Sequence, residues 1–345
     1  MKYSDNIVIL EAQVMGYEPY NCIDCGSEYC PCHLAESGNC ILCSHLDGKD
    51  FCDCVNWNGV CIYQEFMQNN FKAKEGRKHQ RFQIIDKELI NEKLMILKIK
   101  VTQKLASELV GPGSFVFIRK ENCEQAFDTP ICVMDSDTGN DVITLAIELK
   151  GLKTKILKDV NINEYVLIKG PFWNGILGLN SVNTIKRNHC VLVCRGIGQA
   201  PMVPVIEKLY NNENTITVIL DEGTLDIIFI EKELKKYATE IIKTNTLLMG
   251  GILDCKCRKI LEGILTKGNV ALVHCDSADV LSHQIMKIVE AYDKNIEFSC
   301  SNNAKMCCGE GVCGCCTIMN DDEKLRRLCK MQTSPKYIFE GRRLY

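Results

Sequence analysis

An architecture that joins an all-β unit to an α/β unit follows from three features of the sequence. Cysteine gathers towards both ends of the chain; short β segments separated by turns fill the stretch up to about residue 187; strand–helix alternation fills the stretch after it. Of 23 cysteines in 345 residues, nine lie between Cys22 and Cys61 and seven between Cys300 and Cys329. Four segments are therefore expected. They are a metal-stabilised Cys-rich module over 1–78, an antiparallel β-barrel domain over 79–187, a Rossmann-like domain over 188–297 and a second cysteine-based domain over 298–345.

Composition excludes several classes. Hydrophobic residues make up 46% and charged residues 25%, the balance of a soluble globular protein. The formal net charge is −3 and no long basic run occurs, so nothing recruits nucleic acid or an anionic membrane. No stretch approaches the roughly 20 apolar residues that span a bilayer. Met1 to Met15 lacks the basic start, long apolar core and cleavage site of a secretory signal. The expectation is a cytoplasmic protein. Disulfides are rare in a reducing cytosol, so dense cysteine there points to thiolate–metal chemistry.

The first cluster runs Cys22, Cys25, Cys30, Cys32 and His33, then Cys40, Cys43 and His45, then Cys52, Cys54 and Cys61. Nine thiols and two imidazoles are enough for two four-ligand sites. The C-x2-C pairs suit tetrahedral zinc and an iron–sulfur cluster equally well. Zinc would be structural, whereas a further iron–sulfur cluster would be an additional relay or docking site. Unliganded or disulfide-bonded cysteines are the bland alternative. A helix is expected from about Val60 to Lys74, and Lys74 to Arg81 has the character of a solvated linker.

Between Phe82 and Lys186, strands are expected at Leu94–Val101, Ser114–Arg119, Ile131–Asp135, Val142–Glu148 and Tyr165–Lys169. Gly111-Pro112-Gly113 and Asp137-Thr138-Gly139-Asn140 supply turn chemistry between them. Such a run suits a small antiparallel barrel or sandwich. From Cys190 the pattern changes to strand Cys190–Cys194, a turn at Gly196–Pro201 and a helix to about Tyr210, then strand Thr215–Leu220. Helices at Glu231–Tyr237, Lys256–Leu265 and Ala278–Tyr292, with strand Val270–His274, complete an alternation that implies a parallel sheet covered on both faces.

Near the C-terminus, Cys308, Cys313, Cys316 and Cys329 give C-x4-C-x2-C followed by a distant cysteine, the plant-type [2Fe–2S] spacing. Three thiolates on one tight loop wrap one side of such a cluster, and the fourth closes it from elsewhere. Gly309, Gly311 and Gly314 free the backbone to turn and to aim amide N–H groups at the sulfurs. A zinc knuckle also uses C-x2-C pairs, but a glycine at nearly every gap is unusual for zinc. Cys307 and Cys315 are extra thiols, and either could replace a neighbour as ligand. The other seven cysteines, Cys123, Cys190 and Cys194 among them, fit the role of small buried hydrophobes.

The order of barrel, Rossmann-like domain and cysteine loop, from about Phe82 to the C-terminus, resembles the electron-transfer subunit of dihydroorotate dehydrogenase within the ferredoxin–NAD(P)+ reductase superfamily. Gly113-Ser114-Phe115-Val116-Phe117-Ile118-Arg119 looks like the family's barrel strand. Gly170-Pro171-Phe172-Trp173-Asn174-Gly175 looks like its Gly-Pro-x-x-Asn-Gly turn, and Gly196-Ile197-Gly198-Gln199-Ala200-Pro201 matches its Gly-Ile-Gly-x-Ala-Pro turn. The resemblance implies FAD between an FAD-binding-type barrel and an NAD-binding-type domain, and electron transfer through the [2Fe–2S] cluster to a separate subunit. It also implies cofactor contacts at Pro130, Cys132, Gly170, Pro171, Asn174, Gly175, Gly196, Gly198, Ala200 and Pro201. In related bifurcating NADH-dependent ferredoxin–NADP+ reductases the first cluster ligand is usually an aspartate, so Cys308 places this chain nearer the former group.

Two departures matter. The family's Arg-Pro-x-Ser flavin motif appears here as Thr129-Pro130-Ile131-Cys132, without the arginine whose fork suits phosphate. Its Cys-Gly-Pro turn appears as Cys275-Asp276-Ser277, which is expected to add bulk and negative charge where a dinucleotide would lie. Arg195, in place of a glycine, could offer a compensating positive charge. No nucleophile–base pair, zinc-protease motif or Walker loop occurs, so no catalytic residue is expected on this chain. The expected role is a subunit that passes electrons between NAD(P)H, FAD and a [2Fe–2S] cluster, to or from a partner oxidoreductase or a ferredoxin-type partner. The alternative is a metal-stabilised scaffold or redox-sensing subunit that has lost its flavin and NAD sites.

Overall fold

The computed structural model describes residues 21–52, 59–123, 128–319 and 325–339; Cys54 lies outside them. Its first strand, β1 (Asn21–Cys22), opens the cysteine-rich segment, and the helices His33–Glu36 and Ile62–Gln68 follow. The second helix is shorter than its sequence pattern suggests, because Asn70 and Phe71 both take positive φ and break it.

Six strands then close a barrel in the order β2-β3-β6-β5-β4-β7. They are β2 (His79–Ile90), β3 (Leu94–Lys100), β4 (Phe115–Lys120), β5 (Thr129–Asp137), β6 (Val142–Glu148) and β7 (Tyr165–Phe172), all paired antiparallel. Alternation fills the interior: Val116 and Ile118 of β4 point inward with Leu97, Ile99, Leu145 and Ile168. Phe115 and Phe117 point outward to Phe172. Closure removes exposed strand edges, which favours a barrel over an open sandwich.

A short strand, β8 (Ile176–Leu177), leaves the barrel and joins the second sheet. That sheet also contains β9 (His189–Arg195), β10 (Thr215–Asp221), β11 (Glu240–Lys243), β12 (Val270–Asp276) and β13 (Glu297–Ser301). Its order is β11-β10-β9-β12-β13-β8; the first five strands run parallel and β8 runs antiparallel at the edge. Cys190 to Cys194 are fully buried, as strands covered on both faces must be. The sheet extends past the expected division at 297/298, because β13 is too short and polar to stand out from the sequence.

The C-terminal part adds β14 (Thr317–Met319), β15 (Leu325–Arg327) and β16 (Met331–Gln332) around the cysteine loop. β16 pairs antiparallel with β1, Cys22 facing Met331, so the two cysteine-rich regions share a ladder. Leu34, Ile41, Leu46, Ile62 and Phe66 join one apolar core with Leu328, Met331 and the face of the parallel sheet that packs on the helix Asp279–Tyr292. The N-terminal region is therefore packed on the rest of the chain and not held by cysteine alone.

The segment expected to be a solvated linker is mostly exposed, but it carries one side chain that is not. His79 to Arg81 already belong to β2, and the Arg77 side chain is completely buried. Arg77 binds Asp24 (Nη2–Oδ1, 2.9 Å) and Glu310 (Nη1–Oε2, 3.1 Å), and its Nε donates to the Pro171 carbonyl. Its guanidinium lies 3.8 Å from the ring centre of Tyr29 and 4.4 Å from that of Phe172. Lys330, also buried, binds the same two carboxylates. Burial alone would raise the Asp24 carboxyl; Lys330 and Arg77 outweigh it and hold the group below its usual range.

Removing one member of a buried ion network leaves its partners charged and unpaired, which costs about 3–5 kcal/mol. Arg77→Met is expected to lower the thermal unfolding midpoint clearly. Lys98→Ala, at an ion pair with Asp86 about half exposed on both sides, should change stability by less than about 1 kcal/mol. Equal midpoints for the two variants would show that the network does not hold the segments together.

Candidate cofactor cavity and cysteine loop

A cavity of about 530 Å3 lies between the barrel and the parallel sheet, within the usual range of about 300–1,000 Å3 for small-molecule sites. Its barrel wall is Phe115, Thr129, Pro130, Ile131 and Cys132 from β4 and β5, with Ala146 and Glu148 from β6. The opposite wall lies at the C-terminal ends of the parallel strands, with Arg195, Ile197, Gly198, Ala200 and Pro201 on one and Ser277–Ala278 on another, where open α/β sheets bind nucleotides. Residues 301–304 and Met306 close the third side.

Of the ten residues expected at a cofactor, Pro130, Cys132, Gly175, Gly198, Ala200 and Pro201 line this cavity. Gly170, Pro171, Asn174 and Gly196 do not. Gly170 and Pro171 lie within β7, where a Cβ on Gly170 would press on Val116 at 3.0 Å. Asn174 is fully buried and structural: its amide donates to the carbonyls of Leu328 and Met331, at 2.5 and 2.8 Å, and so fixes the segment that carries Cys329. Gly196 shapes the turn itself, with φ +57°. Gly198 has no room for a side chain, since a Cβ would collide with the Asp276 carbonyl.

Asp276 does not project into the cavity, as its sequence position had suggested. It is fully buried, receives Ser301 Oγ on one carboxylate oxygen and lies 2.9 Å from His274 Nε2 with the other. His274 Nδ1 in turn meets Ser299 Oγ at 2.7 Å. The bulk and charge expected to oppose a dinucleotide are turned into the sheet. Burial first, and Asp276 second, push the Cys132 thiol up to about 12, so this wall presents a neutral thiol.

Two features fit a flavin nucleotide. Thr129 has a buried hydroxyl with no hydrogen-bond partner, and the residue lines the cavity. A buried polar atom of this kind is costly unless something bonds to it. Arg195 also lines the cavity, 3.5 Å from Asp221 and about a quarter exposed, and can meet a phosphate.

The cysteine loop stands behind one wall of this cavity. Phe115, Phe117 and Phe172 pack as a trio, with Phe115 stacked on Phe172 at 5.2 Å and Phe117 edge-on to it at 5.0 Å. Cys132 and Met306, both lining the cavity, pack against the trio. Gly309 lies flush on its other side: a Cβ there would overlap Phe172 and come within 2.9 Å of Phe117. Lys169 Nζ donates to the Cys308 carbonyl at 3.0 Å and fixes the start of the loop.

The loop brings sulfur ligands and backbone donors together. Cys308 Sγ accepts the backbone N–H groups of Glu310 and Cys313, each at 3.4 Å. The Cys329 thiol donates to Cys316, which lowers Cys316 to about 6 and raises Cys329. Cys313 is exposed, and its sulfur lies within 4.8 Å of those of both Cys307 and Cys315. The structure thus places Cys308, Cys316 and Cys329 on the inner side and groups Cys313 with the two extra thiols on the outer side.

In the N-terminal region, Cys22, Cys25, Cys30, Cys32 and Cys40 line one small void. Cys43 lies within electrostatic reach of Cys52 and Cys61. The two candidate imidazoles turn elsewhere, His33 to Glu36 and His45 onto the Tyr63 ring. Sequence reasoning missed Asp24, Arg77, Glu310 and Lys330. A signal was present, since Asp24, Glu310 and Lys330 each sit within or beside a cysteine motif where solvation alone gives charge no reason to be.

No family model matches the chain. In sequence it is similar to the electron transfer subunit of dihydroorotate dehydrogenase B (NAD(+)) from Clostridium acetobutylicum, 27% identical over 223 residues that cover 64% of this chain and 82% of that protein. The subunit of the same name from Geobacillus sp. is 24% identical over 244 residues, covering 68% and 88%. Among solved structures, the fold is similar to that of an NADH-dependent reduced ferredoxin–NADP oxidoreductase described for flavin-based electron bifurcation. The TM-score is 0.58 at 18% identity, covering 72% of this chain and 85% of that one. Among the described residues no helix is long and apolar enough to cross a membrane.

Gly309→Ala forces a methyl into the aromatic trio and is expected to lower iron affinity of the loop by about ten-fold, the cost of disturbing a ligand's surroundings. Gly151→Ala, whose Cβ meets open space, is the matched control. Iron content per chain after dialysis against a chelator measures both.

Proposed function

We propose that this relative of the dihydroorotate dehydrogenase B electron transfer subunits carries electrons from NAD(P)H, at the cavity, to a separate oxidoreductase through a [2Fe–2S] site in the cysteine loop. The observation that carries the reading is the shared wall. Phe115, Cys132 and Met306 face the cavity; Phe115 belongs to the aromatic trio and the other two pack on it, while Gly309, beside Cys308, lies against Phe117 and Phe172 of the same trio. Two redox groups would stand on either side of one layer of rings, with no polypeptide motion needed between them.

FAD, when bound, would supply the conversion between two-electron hydride chemistry and single-electron transfer. The chain's own residues bind and shield. Thr129 offers its unpaired hydroxyl, Gly198 lines the cavity in the turn after β9, and Arg195 offers charge to a phosphate. The trio excludes water between the cavity and the loop. Cys308, Cys313, Cys316 and Cys329 would hold the cluster, Cys313 turning inward from Cys307 and Cys315 to do so. Backbone N–H groups of Glu310 and Cys313 are already aimed at Cys308 Sγ and would stabilise the added negative charge of the reduced state. The name of the relatives makes dihydroorotate the first terminal substrate to try, with the cognate catalytic subunit supplied.

Anaerobic purification followed by flavin, iron and sulfide analysis tests the reading. It requires one FAD and at least about two irons and two sulfides per chain, with a visible spectrum bleached by NADH or NADPH. Iron without flavin, even after FAD is added, would overturn it in favour of a scaffold or sensor. Thr129→Val, which removes one hydrogen bond worth about 1 kcal/mol, should weaken FAD binding roughly five-fold in a fluorescence titration. Unchanged FAD affinity would remove Thr129 from the flavin site.

A further inference from the structure

A file of polar side chains crosses the sheet and ends at the cavity. β12 and β13 run side by side with His274 opposite Ser299, and strand alternation carries Asp276 and Ser301 on the same face two residues further on. Ser299 Oγ lies 2.7 Å from His274 Nδ1, and His274 Nε2 lies 2.9 Å from one oxygen of Asp276. The hydroxyl of Ser301 donates to the other oxygen. Ser299, His274 and Asp276 are fully buried, where polar groups persist only with partners. Ser301, the last of the four, lines the cavity.

The file decides what this wall offers a ligand. A serine hydroxyl has one proton to donate, and Ser301 gives it to Asp276, so its oxygen faces the cavity as an acceptor. Asn303, on the same wall, is arranged alike. Its amide nitrogen donates to the Ser277 carbonyl at 2.7 Å and to the Asp279 carboxylate at 3.0 Å, which uses both protons and leaves the side-chain carbonyl oxygen. Asn302, between them, is turned to structure: it donates to the Asn174 and Leu328 carbonyls and accepts the Ala304 N–H. Two acceptors so close in sequence suit a ligand group with two N–H bonds on one atom, a planar –NH2. In a nicotinamide dinucleotide that group is either the carboxamide or the adenine amino group. The same wall continues to Met306, which packs on the aromatic trio, so the redox ring is the end that belongs beside it.

We propose that Ser301 and Asn303 receive the carboxamide –NH2 of NAD(P)H, and that Asp276 is a positioning residue that makes Ser301 an acceptor. The inference rests on the reading of the cavity as the place where NAD(P)H meets FAD. It gives a use to a carboxylate where the resemblance leads one to expect a glycine, since a glycine has no oxygen to hold the Ser301 proton. Asparagine at 276 has nearly the same volume and the opposite effect. It leaves its oxygen to His274 and turns its own –NH2 to Ser301, which releases the serine proton towards the ligand.

The test uses the full chain loaded with FAD, as wild type, Ser301→Ala and Asp276→Asn. Three reduced nucleotides are compared: NAD(P)H, its 3-acetylpyridine analogue, in which a methyl ketone replaces the carboxamide, and its hypoxanthine analogue, in which a carbonyl replaces the adenine amino group. Kd is taken from the concentration dependence of flavin bleaching, so that differences in reducing power fall on the limiting rate instead. In wild type the acetylpyridine analogue should bind about ten-fold more weakly than NAD(P)H, and the hypoxanthine analogue equally well. In Ser301→Ala and in Asp276→Asn the ten-fold ratio should fall to about three-fold or less, a change of selectivity that general loosening of the fold does not produce. A wild-type ratio near one, or a ratio that both variants leave unchanged, overturns the proposal while the reading of the cavity stands, because the flavin is still reduced. If Asp276→Asn does not fold, Ser301→Ala alone decides. A penalty on the hypoxanthine analogue that Ser301→Ala relieves overturns the proposal in favour of adenine at this wall. Bound flavin that neither NADH nor NADPH bleaches overturns the reading of the cavity itself, and this inference with it.

Discussion

Everything near the candidate centres depends on four charges that have been taken out of water together. Asp24, Arg77, Glu310 and Lys330 come from the first cysteine motif, the start of the barrel, the C-terminal loop and the residue after Cys329. Two positive and two negative groups meet, with Lys169 3.8 Å from Glu310 beside them, so none is left alone in a low-dielectric interior. An ion network of this kind adds little net stability compared with an apolar core, because each charge has given up its hydration. What it does supply is uniqueness: only one arrangement of the four segments satisfies all four groups.

Glycine does a complementary job around the same loop. Gly309 is flat against the trio and Gly311 is flat against Leu34, both at positive φ. Positive φ lets the chain turn tightly enough to place four cysteines within nine residues on one loop. The missing side chains let that loop approach its neighbours on both faces. Charge fixes the loop's position and glycine fixes its distance. A loop so placed needs little rearrangement when its net charge changes.

Much of the fold was legible because its signals are local. The strand Val142–Glu148 and the helix Glu231–Tyr237 occur at their expected limits, and the Gly196–Pro201 turn lies between strand and helix as its pattern implies. The barrel was legible as a class, since short alternating strands with Gly, Pro and Asn turns leave few other solutions. What stayed hidden depends on distance in sequence. Lys74 to Arg81 has the composition of a solvated connection, and only partners 53 and 233 residues away make Arg77 a buried hub. Asn174 matched a cofactor motif by order, yet its amide faces carbonyls 154 and 157 residues on. Asp276 carried a charge whose direction no linear pattern could give, because His274 and Ser301 decide it. β13 was missed for the related reason that five partly polar residues become a strand only beside β12.

The pairing of β1 with β16 sets the timing of biosynthesis as well as the shape of the product. Asp24 and its partner Lys330 are 306 residues apart, so the N-terminal thiols leave the ribosome long before the strand and the ammonium that complete their surroundings exist. At roughly 5–20 residues per second, that interval lasts roughly 15–60 s. Throughout it, the cysteines from 22 to 61 belong to a segment without its final packing partner, open to oxidants and to adventitious metal. Packing is then a race between the end of translation and the chemistry of free thiols. Growth conditions that slow elongation or admit oxygen would bias that race against the assembled protein.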